Sequence, residues 1–275
     1  MIWQKYFDNI INLDWGSKES VAEFELLMDH CNHIDHDAIV FDTWQHYYKK
    51  RMLLSSDYET FKDISTLNIE TLSLHPYHNP THISQVLLTC LLFWEKSNLS
   101  VDILRALYCA ALGHDILHDG IGNKDVDFKL ETIAAEKIKS ILMKNHWDDN
   151  SIYLIESLIL STEAKYRFAL KTNQNELKIA QFNFIYSKKE YLEAARIISD
   201  ADLFCSLGLG EDLHMEQTFK VLSELNTPPS KRHEISLYFL NNISGEKFLS
   251  KPAQVFNHNL LKLHNYYETE FMENT

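Results

Sequence analysis

The chain has 275 residues, enough for one large domain with a sizeable core or at most two small ones. With 26 Lys+Arg against 39 Asp+Glu, its formal net charge is -13, which argues against nucleic acid or an anionic membrane surface as a partner. A site for phosphate groups on such a chain needs metal ions to supply positive charge.

In chain order, the N-terminus MIWQKYFDNIINLDW lacks the basic start and long apolar core of a secretory signal. Residues 1–70 read as helical decoration ahead of a main domain over 71–275, the two forming one continuous unit. The run HCNHIDH (30–36) is rich in metal-binding side chains but lies in a polar setting, and reads as a solvated helix face. Asn79 followed by Pro80 predicts a helix start, a capping residue and then proline at the first helical position. Beyond it, Ile83, Val86, Leu87, Cys90, Leu91 and Trp94 recur at helical spacing and make one apolar face.

Further helices are expected over 101–113, 129–144, 151–162 and 189–208, whereas 164–188 and 224–231 read as loops or short elements. The longest nearly apolar run, VLLTCLLFW (86–94), is about half of what a membrane span needs. Only 7 Gly and 5 Pro, with no sustained period-two alternation, point to an all-α fold. The four cysteines form no CxxC pair and read as buried free thiols, which suits a reducing, cytoplasmic setting.

Four stretches gather the side chains that carry chemistry: HPYHNPTHISQ (75–85), Gly113-His114-Asp115 with His118 a turn beyond, LSTE (160–163), and ISDADLFCSLG (198–208). Taken singly, each has a plain structural reading. A lone helical histidine is more often a core or surface residue than a ligand, as for His75, His146, His214, His233, His258 and His264. Taken together, His82, His114, Asp115 and either Asp200 or Asp202 offer two nitrogens and two oxygens from three helices. That mixed set suits Zn²⁺, Mn²⁺, Fe²⁺ or Co²⁺, and a carboxylate can bridge to a second, harder ion such as Mg²⁺. A metal would also make it tolerable to bury charge at the end of the apolar helix 101–113.

YHNPTH (77–82), HDILHDGIGN (114–123), LSTE and ADL (201–203), in that order over residues 75–208, resemble the HD-domain metal-dependent phosphohydrolases. Within that superfamily they are most similar to the catalytic domain of the 3',5'-cyclic nucleotide phosphodiesterases. The resemblance implies a compact helical bundle with a metal site between helices. It implies hydrolysis of a small phosphoester, foremost a cyclic nucleotide to its 5'-monophosphate. His82, His114, Asp115 and Asp202 would hold the first ion (Zn, Mn, Fe or Co), and Asp115 would bridge to a second (Mg or Mn).

His78 would be the general acid, and His118 would orient water on the second ion. Asn79, Asn123, Thr162 and Glu163 would flank the site, with Glu163 where the family commonly has an aspartate. The chain departs from the pattern at Leu117, Asp119, Phe204 and Cys205. Gln254 and Phe256 offer the residue types of the family's base clamp, though at a different spacing. The alternatives are another HD phosphohydrolase, such as a nucleotidase or guanosine tetraphosphate hydrolase, and an inactive metal-holding scaffold.

Overall fold

The computed structural model is all-α and describes residues 2–121, 123, 126–172 and 179–273, among which no strand occurs. Helices α1 (Ile2–Asn12), α2 (Lys18–Cys31), α3 (His36–Lys49) and α4 (Asp57–Leu72) precede the pair α5 (Pro80–Glu95) and α6 (Val101–Gly113). Next come α7 (Lys129–Lys144), α8 (Asp149–Leu160), α9 (Ala164–Thr172) and α10 (Ala180–Tyr186), then the long α11 (Lys189–Leu207) and α12 (Glu211–Glu224). The C-terminal part is α13 (Arg232–Phe239), running directly into a π-helical turn (Leu240–Ser244), then α14 (Lys251–Gln254) and α15 (Asn257–Glu273).

A helix buried on every side has to run through the middle of its fold. In α5 every residue from His82 to Trp94 is buried, not only the expected face, since Ser84, Gln85, Leu88, Thr89, Leu92 and Phe93 are enclosed as well. The reason is that α6 and α11 cover one side of α5 while α1, α2 and α3 cover the other. Trp3, Phe7, Ile10, Phe24 and Tyr47 therefore belong to the same apolar interior as Ile83 and Val86.

The polar residues of α5 are satisfied across these contacts. Ser84 Oγ pairs with His36 Nδ1 at 2.8 Å, and Gln85 Nε2 donates to the Met28 carbonyl at 3.1 Å. The expected solvated face over 30–36 is corrected at two positions: Cys31 and His36 are buried. Burial pushes the His36 pKa down to about 4.

The expected helices at 80, 101–113, 129–144, 151–162 and 189–208 correspond to α5, α6, α7, α8 and α11. The stretch 164–188 contains two short helices, α9 and α10, with residues 173–178 outside the described residues. Over 224–231 a turn leads into a short 3-10 helix, Pro229–Lys231. All four cysteines are buried and unbridged. No helix among the described residues is long and apolar enough to cross a membrane.

Candidate metal centre and substrate pocket

Asn79 caps α5 with its side-chain oxygen, accepting from the amides of Thr81 at 2.9 Å and His82 at 3.1 Å. Its own amide donates to the Pro76 carbonyl, so the capping loop is fixed from both sides. This holds His82 in the first helical turn, 3 % exposed. At the end of α6, a Cβ on Gly113 would lie 2.5 Å from Ile138 of α7, so glycine alone permits that close approach. The chain then turns sharply through His114 and Asp115, with Leu117 and Gly120 both at positive φ. The third contributor is α11, whose two aspartates diverge.

Asp200 faces away from this centre. Its carboxylate pairs with Arg167 at 2.8 Å and accepts from the amides of Leu249 and Ser250 and from the Ser250 hydroxyl. Asp202 faces the histidines. His82 Nε2 lies 3.4 Å from Asp115 Oδ2 and 3.2 Å from Asp202 Oδ1; His114 Nε2 lies 3.1 and 3.5 Å from the same two oxygens.

Despite these distances, His82 Nε2, His114 Nε2 and Asp115 Oδ2 are buried without a hydrogen-bond partner of acceptable angle. Atoms so close and yet unpaired point at a common centre rather than at one another. Tetrahedral ligands with bonds of about 2.1 Å are separated by roughly 3.4 Å, which these spacings match. The Ala111 carbonyl accepts from His114 Nδ1 at 3.0 Å, which leaves the Nε2 lone pair for an ion. The residues therefore fit a divalent metal. Burial disfavours charge on both histidines, but Asp115 and Asp202 outweigh it and raise their pKa values. Asp202 is in turn held well below the usual carboxylate range, against its burial, by His114 and His82.

A second grouping, His78, Asp115 and His118, shares Asp115 with the first, and its ligand atoms also lie within 4.8 Å of one another. The rings of His78 and His118 stack with centroids 3.6 Å apart. Gly120 N–H donates to His118 Nδ1 at 3.0 Å, so the proton of that ring resides on Nε2. Burial and the neighbouring His78 push the His118 pKa down to about 4, so the ring is a neutral donor at physiological pH.

Glu224, at the end of α12, carries no signal in the sequence, yet it organises this group. It bonds the His78 ring at Nδ1 and accepts from the backbone amides of Tyr77 at 2.8 Å and His78 at 3.0 Å. Burial acts to raise its pKa, but these partners prevail and hold it at about 2, an ionised carboxylate. The ring of Tyr77 packs over His78 and His82 at 4.8 and 4.9 Å.

On the opposite wall, the Asn123 amide donates to Glu131, at 2.7 Å, and to Glu163. Burial, and then Glu163, push the Glu131 pKa up to about 7. Thr162 lines the same pocket, its hydroxyl donating to the Ile159 carbonyl. Together these residues border a cavity of about 380 Å³, with Leu203, Val221, Leu225, Tyr238, Phe239 and Ile243 along its far side.

Other sequence expectations fall elsewhere. Gln254 is exposed and bonds the Leu249 carbonyl, and Phe256 is buried against Trp15, Phe24 and Phe204, so neither borders the cavity. The different spacing of 254 and 256 accords with core packing of Phe256 rather than a base clamp, because α14 is tied to the core beside α5 and α11. Phe204 and Cys205 likewise turn to the core, against Phe24 and Met28. Asn79 is a helix cap, outside the cavity lining. Gly122, inside the expected HDILHDGIGN motif, lies outside the described residues.

No family model and no curated protein matches this chain. Among solved structures, it is similar to the phosphodiesterase domain of the RhoPDE fusion protein from the choanoflagellate Salpingoeca rosetta. The TM-score is 0.60 and the identity 16%, with 93% of each chain covered. A second structure of the phosphodiesterase domain of Salpingoeca rosetta rhodopsin phosphodiesterase gives the same score and identity, covering 94% of this chain and 91% of that one. The chain shares the all-α fold of these two domains over nearly its whole length.

Proposed function

We propose that this chain is a metal-dependent phosphodiesterase that converts a 3',5'-cyclic nucleotide to its 5'-monophosphate in the cavity beside Asp115. The observation that carries this reading is the juxtaposition of two features: four ligand atoms aimed at one point, and the His78–Glu224 pair on the same cavity wall. His82, His114, Asp115 and Asp202 would hold the first divalent ion, and Asp115, with its place in the second grouping, would also serve a second. Bound there, such ions supply Lewis acidity toward phosphoryl oxygens and lower the pKa of water.

The protein's own groups do the rest. The ionised Glu224 holds the His78 ring by Nδ1, which leaves Nε2 to exchange a proton with the substrate. His78 protonates the departing 3' oxygen, a poor leaving group as an alkoxide. Neutral His118, stacked on His78, presents its Nε2–H toward water or a phosphoryl oxygen. Asn123, Glu131, Thr162 and Glu163 form a polar wall around the attacking side. The net charge of -13 accords with phosphate being held by ions rather than by Lys or Arg.

The test is hydrolysis of cyclic AMP and cyclic GMP with Mn²⁺ or Mg²⁺, beside a mononucleotide and guanosine tetraphosphate. In parallel, metal content is measured for wild type and His78→Ala. The expected outcome is a 5'-monophosphate product, with turnover about 10²- to 10⁴-fold lower in the variant and metal retained. Cleavage of only the other substrates would move the protein to the wider phosphohydrolase group. Metal bound with no turnover of any substrate would make it a scaffold.

A further inference from the structure

The outer face of α3 carries a line of aromatic rings. Phe41, Trp44 and Tyr48 follow one another at spacings of three and four residues, away from the face that buries Ile39, Val40, Thr43 and Tyr47. Phe41 and Tyr48 are exposed and Trp44 is half-buried. Tyr58 of α4 and the exposed Leu54 just before that helix widen the line into a patch. The Trp44 ring stands 5.1 Å from Tyr48 and 4.6 Å from Tyr58, and its Nε1 donates to the Leu54 carbonyl at 3.0 Å. The rings are thus ordered before any partner arrives, which lowers the entropy that binding costs. Monomeric proteins seldom leave a large contiguous apolar patch open, and Trp, Tyr and Arg are the residues that most often anchor interfaces.

Charge along the same helix is sorted by sign. From Asp35 to Arg51 the chain holds three aspartates, Asp35, Asp37 and Asp42, all before Trp44, and three cations, Lys49, Lys50 and Arg51, all after it. The stretch is balanced in a chain whose net charge is -13. This order suits the helix dipole, but the dipole does not call for aromatic rings on the outer face. Lys50 pairs with Glu95 at 3.3 Å and Lys49 bonds Gln45 at 2.9 Å, whereas Arg51 has no carboxylate partner among the described residues. At the other end, the Ser65 hydroxyl holds the Asp37 carboxylate.

We propose that this face is the interface of a two-fold homodimer, in which α3 packs antiparallel against α3 of a second copy. Asp37 and Arg51 each lie seven residues from Trp44, roughly 10 Å to either side along the helix axis. A two-fold axis beside Trp44 therefore sets Trp44 against its own symmetry mate, Phe41 against Tyr48 of the second copy, and Asp37 against Arg51 of the second copy. In such an isologous contact every pair occurs twice, with rings on rings at the centre and opposite charges at both ends. A parallel arrangement puts like charges together instead. Repulsion between two copies of net charge -13 is screened beyond about 8 Å at physiological ionic strength, so the local match decides. None of these residues borders the cavity beside Asp115, so the contact stands whether or not the catalytic reading does.

The experiment is sedimentation equilibrium of the full chain at physiological ionic strength and up to about 100 μM, above the micromolar dissociation constants of weak interfaces. Wild type is compared with Phe41→Ser, Asp37→Arg, Arg51→Glu and the double variant carrying both reversals; melting temperatures in dilute solution report on folding. The expected result is a monomer–dimer equilibrium whose dissociation constant rises at least about tenfold in Phe41→Ser. Each single reversal is expected to raise it about three- to thirtyfold, because like charges then meet twice in every dimer. The double variant restores opposite charges and should return to within about threefold of wild type, a rescue that a folding defect would not give. A wild type that stays monomeric, a dimer indifferent to these changes, or a double variant no tighter than the single ones overturns the proposal. So does a monomer that co-sediments with vesicles containing phosphatidylserine, which would assign the patch to an anionic membrane surface.

Discussion

At Glu224 a single carboxylate accepts from two backbone amides and from the His78 ring, so it fixes both the loop and the imidazole. Glu224→Gln keeps the size but replaces one acceptor oxygen with a donor facing donors. Turnover is expected to fall about 10- to 100-fold with KM within threefold, and the pH profile of kcat should shift, a change that loop disorder alone would not give. Glu131 makes a different residue-scale prediction. Its folded pKa, about 7, is raised above the unfolded carboxylate value by burial, with Glu163 and Asp115 adding to it. A raised carboxylate favours the native state at low pH, and that contribution is lost as pH rises from about 4.5 through about 7. With chelator present, the melting temperature of wild type minus that of Glu131→Gln should therefore decrease between pH 5 and pH 8; an unchanged difference would remove Glu131 as a titrating group. Residues such as His82, His114 and Asp115 were legible because their neighbours in sequence mark them. Glu224 was not, since it meets His78 across 146 positions and no local pattern joins them.

The elements that position the site are the ones whose ends the sequence punctuates. Asn79-Pro80 starts α5, and Gly113 ends α6 against Ile138, so the two histidines of the candidate metal centre sit at helix termini where side chains converge. Loss of the Asn79 cap costs about 1 kcal/mol, as at any helix start. Here it also frees the first turn that carries His82. Asn79→Ala should therefore lower the melting temperature by about 2–4 °C and weaken binding of added Mn²⁺ or Zn²⁺. Asp148→Ala, which removes the corresponding cap of α8, should cost similar stability and leave metal affinity unchanged. Equal metal affinity in the two variants would mean that the cap does not position His82.

Long apolar helices such as α5, α6 and α11 were readable from periodicity. The stretch of α9 and α10 read only as loops or short elements, because such short helices are held by tertiary contacts, α9 with α11 and the π-helical turn, α10 with α8 and α11. Within 30–36 the burial of His36 was not legible for a related reason: it pairs with Ser84 and Asn68, which lie far away in sequence.

On the scale of the whole molecule, α5 is the common support. Its first turn carries His82, its middle is sealed by α6 and α11, and its remaining side is covered by α1, α2 and α3. Those N-terminal helices bury Trp3, Phe7, Ile10, Phe24, Leu27 and Met28 at 2 % exposure or less. Each such side chain contributes about 1.5–3 kcal/mol on burial, so their sum is comparable with the whole 5–15 kcal/mol by which a folded domain is typically stable. Removing them would also expose the α2-facing side of α5, with the Gln85 amide left without its Met28 acceptor. A fragment of residues 71–275 is thus expected to lack a cooperative thermal transition, to bind a hydrophobic dye, and to hold Mn²⁺ weakly despite retaining every proposed ligand. Cooperative unfolding within about 5 °C of the full chain would show instead that α5 is sufficiently buried by α6 and α11 alone.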